Sequence, residues 1–138
     1  MSLEQRSVLV AGPDADLLDL ICSRLVRLGC RVRPVQSVFE ALAYSAREHF
    51  DLAVVDQDLP GVGGTSLTTR LAEAPTPVRV IVLVDPHAEE SYERAVESGA
   101  YRCLPRSRSW RELEHAVEEA LDARPVLPFL RPTTNVTA

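Results

Sequence analysis

An apolar run, Leu52-Ala53-Val54-Val55, stops at Asp56, and Gln57-Asp58-Leu59-Pro60-Gly61 follows. A carboxylate at the mouth of such a run serves as a nucleophile, as a hard-oxygen metal ligand or as a local cap. The position between a buried segment and a Pro-Gly loop weighs the reactive and capping roles about evenly. Asp14 and Asp16 open a helical segment, where capping and dipole compensation outweigh metal binding. Asp58 and Asp85 carry the same capping explanation. Asp14, Asp56 and Asp58 are the candidate metal ligands, with Asp14 or Asp16 reaching an ion through water. Arg106 has the charge to pair with Asp56, with a bound anion or with another nearby acid.

Other residue types narrow the chemistry. No Ser/Cys-His-Asp order and no paired-carboxylate spacing marks a hydrolase, so the expectation is a protein that is not an enzyme. His49, His87 and His115 fall, on this reading, in different helices and share no metal spacing. Gly61, Gly63 and Gly64 serve turn geometry, because neither GxGxxG after the first strand nor a Walker-type GxxxxGK run is present. The three cysteines, Cys22, Cys30 and Cys103, are odd in number and widely spaced. They read as small buried hydrophobes in a reducing, cytoplasmic setting rather than as a disulfide framework.

These residues need elements to position them, and two patterns alternate along the chain. Val8 to Ala11 reads as a buried strand, followed by a helix with Leu17, Ile21, Leu25 and Leu28 on one face and Gly29 at its end. Cys30 to Val35 is an outer strand, with Pro34 favouring an edge. Ser37 and Glu40 form a capping box for a helix running to about His49. Leu52 to Asp56 is the third strand. Ser66 to Glu73 is a helix with Leu67 and Leu71 on one face. Val78 to Val84 has the continuous apolar character of a central strand covered on both faces.

Asp85-Pro86 reads as a cap and first helical residue, with the helix ending at Ser98-Gly99. Tyr101 to Leu104 is a fifth strand. Ser109 and Glu112 form a second capping box, and the helix after it presents Leu113, Val117, Ala120 and Leu121, with Trp110 in its first turn. Short strands separated by helices demand crossover connections, hence an α/β protein with a parallel sheet. Residues 1–124 make up the expected domain, and residues 125–138, PVLPFLRPTTNVTA, read as a Pro/Thr-rich tail or linker in which Val126, Leu127, Phe129 and Leu130 are available to dock locally.

The bulk properties agree. The chain has 138 residues, the usual size of one domain, with 46% hydrophobic and 25% charged residues. A net charge of −5 weighs against direct nucleic-acid binding by this segment. MSLEQRSV carries no apolar signal core, and no apolar run approaches a membrane span. In an open parallel sheet, ligands gather at the carboxyl ends of the strands. That rule brings together Gly12-Pro13-Asp14, Asp56-Gln57-Asp58, Val84-Asp85 and Pro105-Arg106.

The ordered pieces VLVAGPDADLLDLI, DLAVVDQDLPGVGG, VIVLVD and ESGAYRCLPRS resemble the response-regulator receiver family of two-component signalling, from Ser7 to about Ala123. The resemblance implies a doubly wound, flavodoxin-like sheet of five strands in the order 2-1-3-4-5, flanked by five helices. It also implies a phosphoryl group taken from a histidine kinase by the aspartate at Asp56. The other family positions differ. The acidic pair that holds magnesium is replaced by Gly12 and Pro13, the hydroxyl residue by Val84, the lysine by Arg106, the following proline by Ser107 and the switch aromatic by Cys103.

The chain therefore resembles an atypical or pseudo-receiver that acts without phosphorylation. Its expected contact is another protein, or a second copy, through the face of the fourth helix, fifth strand and fifth helix. Glu89, Glu90, Glu93 and Glu97 make that fourth helix acidic, which for these side chains alone is better explained as an ordinary solvated face. Two alternatives stay open. One is a genuine phosphoacceptor using Asp56, magnesium and a histidine kinase, with Arg106 as clamp. The other is a small-ligand sensor, taking an anion or a metabolite in the altered pocket. No cofactor is expected outside the phosphoacceptor alternative. Receivers often precede a DNA-binding output domain, to which the Pro-rich end is suited as a linker.

Overall fold

The computed structural model describes residues 6–60, 63–107 and 110–122. Ten elements alternate among the described residues: β1 Ser7–Ala11, α1 Ala15–Arg27, β2 Arg31–Val35, α2 Val38–Ser45, β3 Leu52–Asp56, α3 Gly64–Ala72, β4 Arg79–Val84, α4 Glu89–Glu97, β5 Arg102–Pro105 and α5 Trp110–Asp122. The strands form one parallel sheet in the order β2-β1-β3-β4-β5, as the sequence resemblance implied.

Strand composition explains the order. Every residue of β3 is buried, and so is every residue of β4 after Arg79. Such strands suit the middle of a sheet covered by helices on both faces. Edge strand β2 carries Pro34, whose missing N–H costs no ladder bond on an outer side.

Side chains alternate across the sheet with a period of two. Val8, Val10, Leu52, Val54, Ile81 and Leu83 share one core with α1 and α5. Leu9, Ala53, Val55, Val80, Val82 and Val84 share the other with α2, α3 and α4. Trp110 packs, partly buried, against the first of these cores.

Local signals set four of the helix ends. Asp14 Oδ1 accepts from the N–H groups of Asp16 and Leu17 at 3.0 and 3.2 Å, capping α1. Ser37 Oγ accepts from Glu40 N–H at 3.2 Å, while Glu40 Oε1 accepts from Gln36 N–H at 2.8 Å. The box thus closes one residue further back than the simple form. Gly29 and Gly99 stop α1 and α4 at φ of 95° and 100°.

Three expectations are corrected. Helix α2 ends at Ser45 rather than near His49, because the N–H groups of Arg47 and Glu48 both turn back to the Tyr44 carbonyl. Helix α4 begins at Glu89, not at Pro86. Asp85 Oδ1 accepts from His87 N–H at 2.8 Å and the Asp85 carbonyl accepts from Ala88 N–H at 3.1 Å, which closes a separate turn ahead of the helix. In consequence His49 and His87 lie in connections, and His115 alone of the three histidines is helical. Helix α3 also starts earlier than expected, at Gly64. The capping box at Ser109, the glycine at Gly61 and the tail 125–138 lie outside the described residues. Among the described residues, no helix is long and apolar enough to cross a membrane.

Candidate functional site

Parallel strands all end on one edge, so the ends of β1, β3, β4 and β5 bring Gly12, Asp56, Val84 and Arg106 to the same rim. Asp56 is the last residue of β3, in register with Leu83 of β4, and only 3% exposed. Both oxygens of its carboxylate are engaged. Arg106 Nε donates to Oδ2 at 2.8 Å and Nη2 donates to Oδ1 at 2.9 Å. Oδ1 also accepts from Asp58 N–H at 2.9 Å, which closes the turn after β3. Of the roles weighed for Asp56, the cap is present in the turn after β3, and the same carboxylate also forms a charge-assisted fork with Arg106.

Arg106 is fixed from its backbone outward. Its N–H donates to the Val84 carbonyl at 2.7 Å, extending the β4–β5 pairing by one residue. Its Nη2 also reaches Asp58 Oδ2 at 2.8 Å. The hydrogen bond to Asp56, followed by the charges of Asp56 and Asp58, holds the guanidinium above its ordinary pKa, against the opposing effect of burial. Asp58, a candidate cap and metal ligand, turns its carboxylate to Arg106 as a second, more exposed anchor.

Val84 enters the site through its carbonyl alone. Its side chain is fully buried in the core beneath α2, α3 and α4. Asp14 lines a cavity of about 10 Å³ together with Gly12, Leu18, Val54, Asp56 and Leu83, space for about one water. Its Oδ1, however, is committed to the start of α1. Asp16 is exposed on the same rim, in a groove shared with Arg106 and Ser107.

Magnesium wants several hard oxygen ligands in an octahedron. Gly12 and Pro13 bring no carboxylate, Asp14 serves as a cap, and both Asp56 oxygens face a guanidinium. The residues present do not fit the ion. Arg106 supplies positive charge where an ion would otherwise neutralise the acid.

Two residues of the rim have contacts that no sequence motif announces. Gly64 was read as turn geometry, but a Cβ there would run into the Asp56 carbonyl oxygen and come within 2.8 Å of Gln57 Cα. The first residue of α3 thus packs directly on the backbone after β3. Gln57 Nε2 donates to the Ser91 carbonyl in α4 at 2.8 Å, and no motif announces a lone glutamine in a loop.

Residues 8–118 match the family model described as the response regulator receiver domain. Over 117 residues the chain is 28% identical to the DNA-binding transcriptional regulator NtrC of Azospirillum brasilense, covering 85% of this chain and 24% of that protein. Among solved structures it is similar to a CheY-like response regulator receiver domain protein from Methanospirillum hungatei JF-1. The identity there is 24%, the coverage 86% of this chain and 95% of that one, and the TM-score 0.79. It is also similar to the non-phosphorylated HemR receiver domain from Leptospira biflexa, at 23% identity over 88% of this chain and 98% of that one, with a TM-score of 0.77. These structural likenesses carry the fold.

Proposed function

Because the chain belongs to the response regulator receiver domain family, we propose that this receiver domain of a two-component regulator signals by protein contact and not by phosphoryl transfer. One observation carries the reading: Arg106 binds both oxygens of Asp56. Phosphoryl transfer to a carboxylate depends on positioning and on neutralising charge as the donor approaches. Here the carboxylate is buried and its lone pairs are directed at a guanidinium that is itself anchored by Asp58 and the Val84 carbonyl. A phosphoryl donor must break that fork, and the rim offers no hydroxyl at Val84 to receive the transferred oxygens.

The contact surface we assign is the α4–β5–α5 face, for another protein or a second copy of the chain. Val96 is 55% exposed and Tyr101 is 36% exposed on this side, and Arg102 bonds Glu119 between β5 and α5. Exposed apolar residues framed by charged pairs suit a protein partner. The proposal makes the domain a non-enzymatic cytoplasmic module without a resident cofactor or a direct nucleic-acid contact. An anion sensor is less well supported, because Asp14 and Asp16 stand in the same groove as Arg106 and oppose a second negative charge.

Intact-mass spectrometry after incubation with acetyl phosphate and magnesium tests the reading, with Asp56→Asn as control. The expected result is no species heavier by one phosphoryl group in either protein. Such a species in the unsubstituted protein alone overturns the proposal and restores Asp56 as a phosphoacceptor for a histidine kinase.

A further inference from the structure

We infer that Gln57 is a positioning residue that couples the Asp56–Arg106 pair to α4. The inference rests on the reading of α4 as part of the contact face, and it names the link by which the site reaches that face.

The three residues after β3 divide their work. The carboxylates of Asp56 and Asp58 both face Arg106. Gln57, between them, sends its side chain the other way, to the Ser91 carbonyl at 2.8 Å. Its backbone has little freedom. The N–H donates to the Leu83 carbonyl at 2.9 Å, the carbonyl accepts from Gly64 N–H at 3.2 Å, and Cα lies against Gly64. A displacement of the turn is therefore transmitted to the side-chain amide rather than absorbed by the backbone.

At the receiving end, Ser91 lies in the first turn of α4, buried on the sheet side with Ala95. A helical carbonyl at that position already accepts from the N–H four residues on, and its second lone pair is open to Gln57. Ala88, the N-cap of α4, makes no side-chain capping bond. The far end of the helix is held separately, by Thr69 Oγ1 donating to the Ser98 carbonyl at 3.0 Å. Gln57 thus fixes the start of α4 while α3 fixes its end. When the Asp56–Arg106 fork changes, the start of the helix is the part that responds.

Native-state amide hydrogen exchange on the full chain tests this, comparing the unsubstituted protein with Gln57→Met, Asp56→Asn and the double variant. Methionine keeps the side-chain length without the donor, and Gln57 belongs to neither core, so the fold is retained. Gln57→Met should speed exchange in α4 by about three- to tenfold, the size of one lost hydrogen bond, with α1 and α5 unchanged. Asp56→Asn should also speed exchange in α4, and by much less when Gln57 is already methionine. Gln57→Glu, which keeps the shape and loses the donor, is read in the same way, so the outcome does not depend on one variant folding. The inference is overturned if α4 exchange ignores Gln57, if it ignores Asp56→Asn, or if the two effects multiply independently. The readout uses neither a phosphoryl donor nor a partner. Its failure therefore leaves the contact proposal standing, and phosphorylation of Asp56 would leave the Gln57 result standing.

Discussion

Arg106, one residue beyond β5, grips both oxygens of Asp56 at the end of β3, at 2.8 and 2.9 Å, although β4 lies between those two strands in the sheet. The guanidinium bridges over the end of β4, where Val84 puts a methyl-bearing side chain into the core and offers only its carbonyl. A rim that resembles a reactive site is in this way closed by an internal ion pair.

Removing one partner of that pair should be costly. Arg106→Ala leaves the Asp56 carboxylate almost fully buried without its counter-charge, which is expected to cost about 3 kcal/mol or more. Replacing both members, as in Asp56→Asn with Arg106→Met, leaves no buried unpaired charge and should cost clearly less than Arg106→Ala alone. Urea unfolding of the variants checks the order. If Arg106→Ala is as stable as the unsubstituted protein, the fork is not a structural element.

The two glycines of the rim should behave oppositely. A Cβ at Gly64 collides with the backbone of Asp56 and Gln57, so Gly64→Ala forces α3 away and is expected to cost on the order of 1–3 kcal/mol. A Cβ at Gly12 meets Asp56 Cβ at 3.4 Å and Leu18 Cδ2 at 3.9 Å, ordinary contacts beside a small cavity. Gly12→Ala should therefore be close to neutral. The same unfolding measurement separates them, and equal costs would contradict the packing described for Gly64.

Alkaline pH should weaken the fold through the thiols. Burial, followed by the charge of Asp19, raises Cys22 from 9.0 to about 11, and burial raises Cys30 and Cys103 as well. In the unfolded chain these thiols ionise near the ordinary value while the folded protein still holds the protons. The unfolded state then binds fewer protons, so stability is full below about pH 9 and falls as pH rises toward 11. Unfolding midpoints across that window should decline, and Cys22→Ala should make the decline shallower. An identical slope in the variant would remove Cys22 from the cause.

Much of this was legible because it is local. The alternation of apolar runs with capped helices fixes strands and helices, and the continuous burial of β3 and β4 marks the centre of the sheet. Asp14 and Ser37 act as the caps their types suggest. What resisted reading is what depends on distant contacts. The acid and proline at Asp85-Pro86 match a helix start, yet Asp85 spends its carboxylate on the His87 N–H and the helix waits until Glu89. Arg106 was a visible candidate partner for Asp56 among several acids. The choice is made by strand order and by the anchor on the Val84 carbonyl, neither of which a single sequence displays. Gln57 has no sequence signal at all, because its partner is a main-chain carbonyl more than thirty residues away.

If the chemistry is blocked by the rim and not by the fold, restoring the rim should restore it. Gly12→Asp and Pro13→Asp would supply the two carboxylates that this chain lacks relative to the family pattern, and the space at Gly12 accepts a Cβ without collision. Val84→Thr would return a hydroxyl donor, at the cost of a polar group entering a packed core position. Arg106→Lys would replace a planar fork with a single point charge, freeing at least one Asp56 oxygen for an ion and a donor. Each change addresses a different requirement: charge neutralisation, oxygen binding and access to the nucleophile. The fourfold variant should therefore gain a magnesium-dependent phosphoryl adduct from acetyl phosphate, lost again when Asp56→Asn is added. Arg106→Lys alone should remain unreactive, since opening the fork frees Asp56 but leaves Gly12 and Pro13 without the carboxylates that would hold an ion beside it. A folded fourfold variant that stays unmodified by intact-mass measurement would show that the rim residues do not account for the block. An adduct with Arg106→Lys alone would place the whole restraint on the guanidinium.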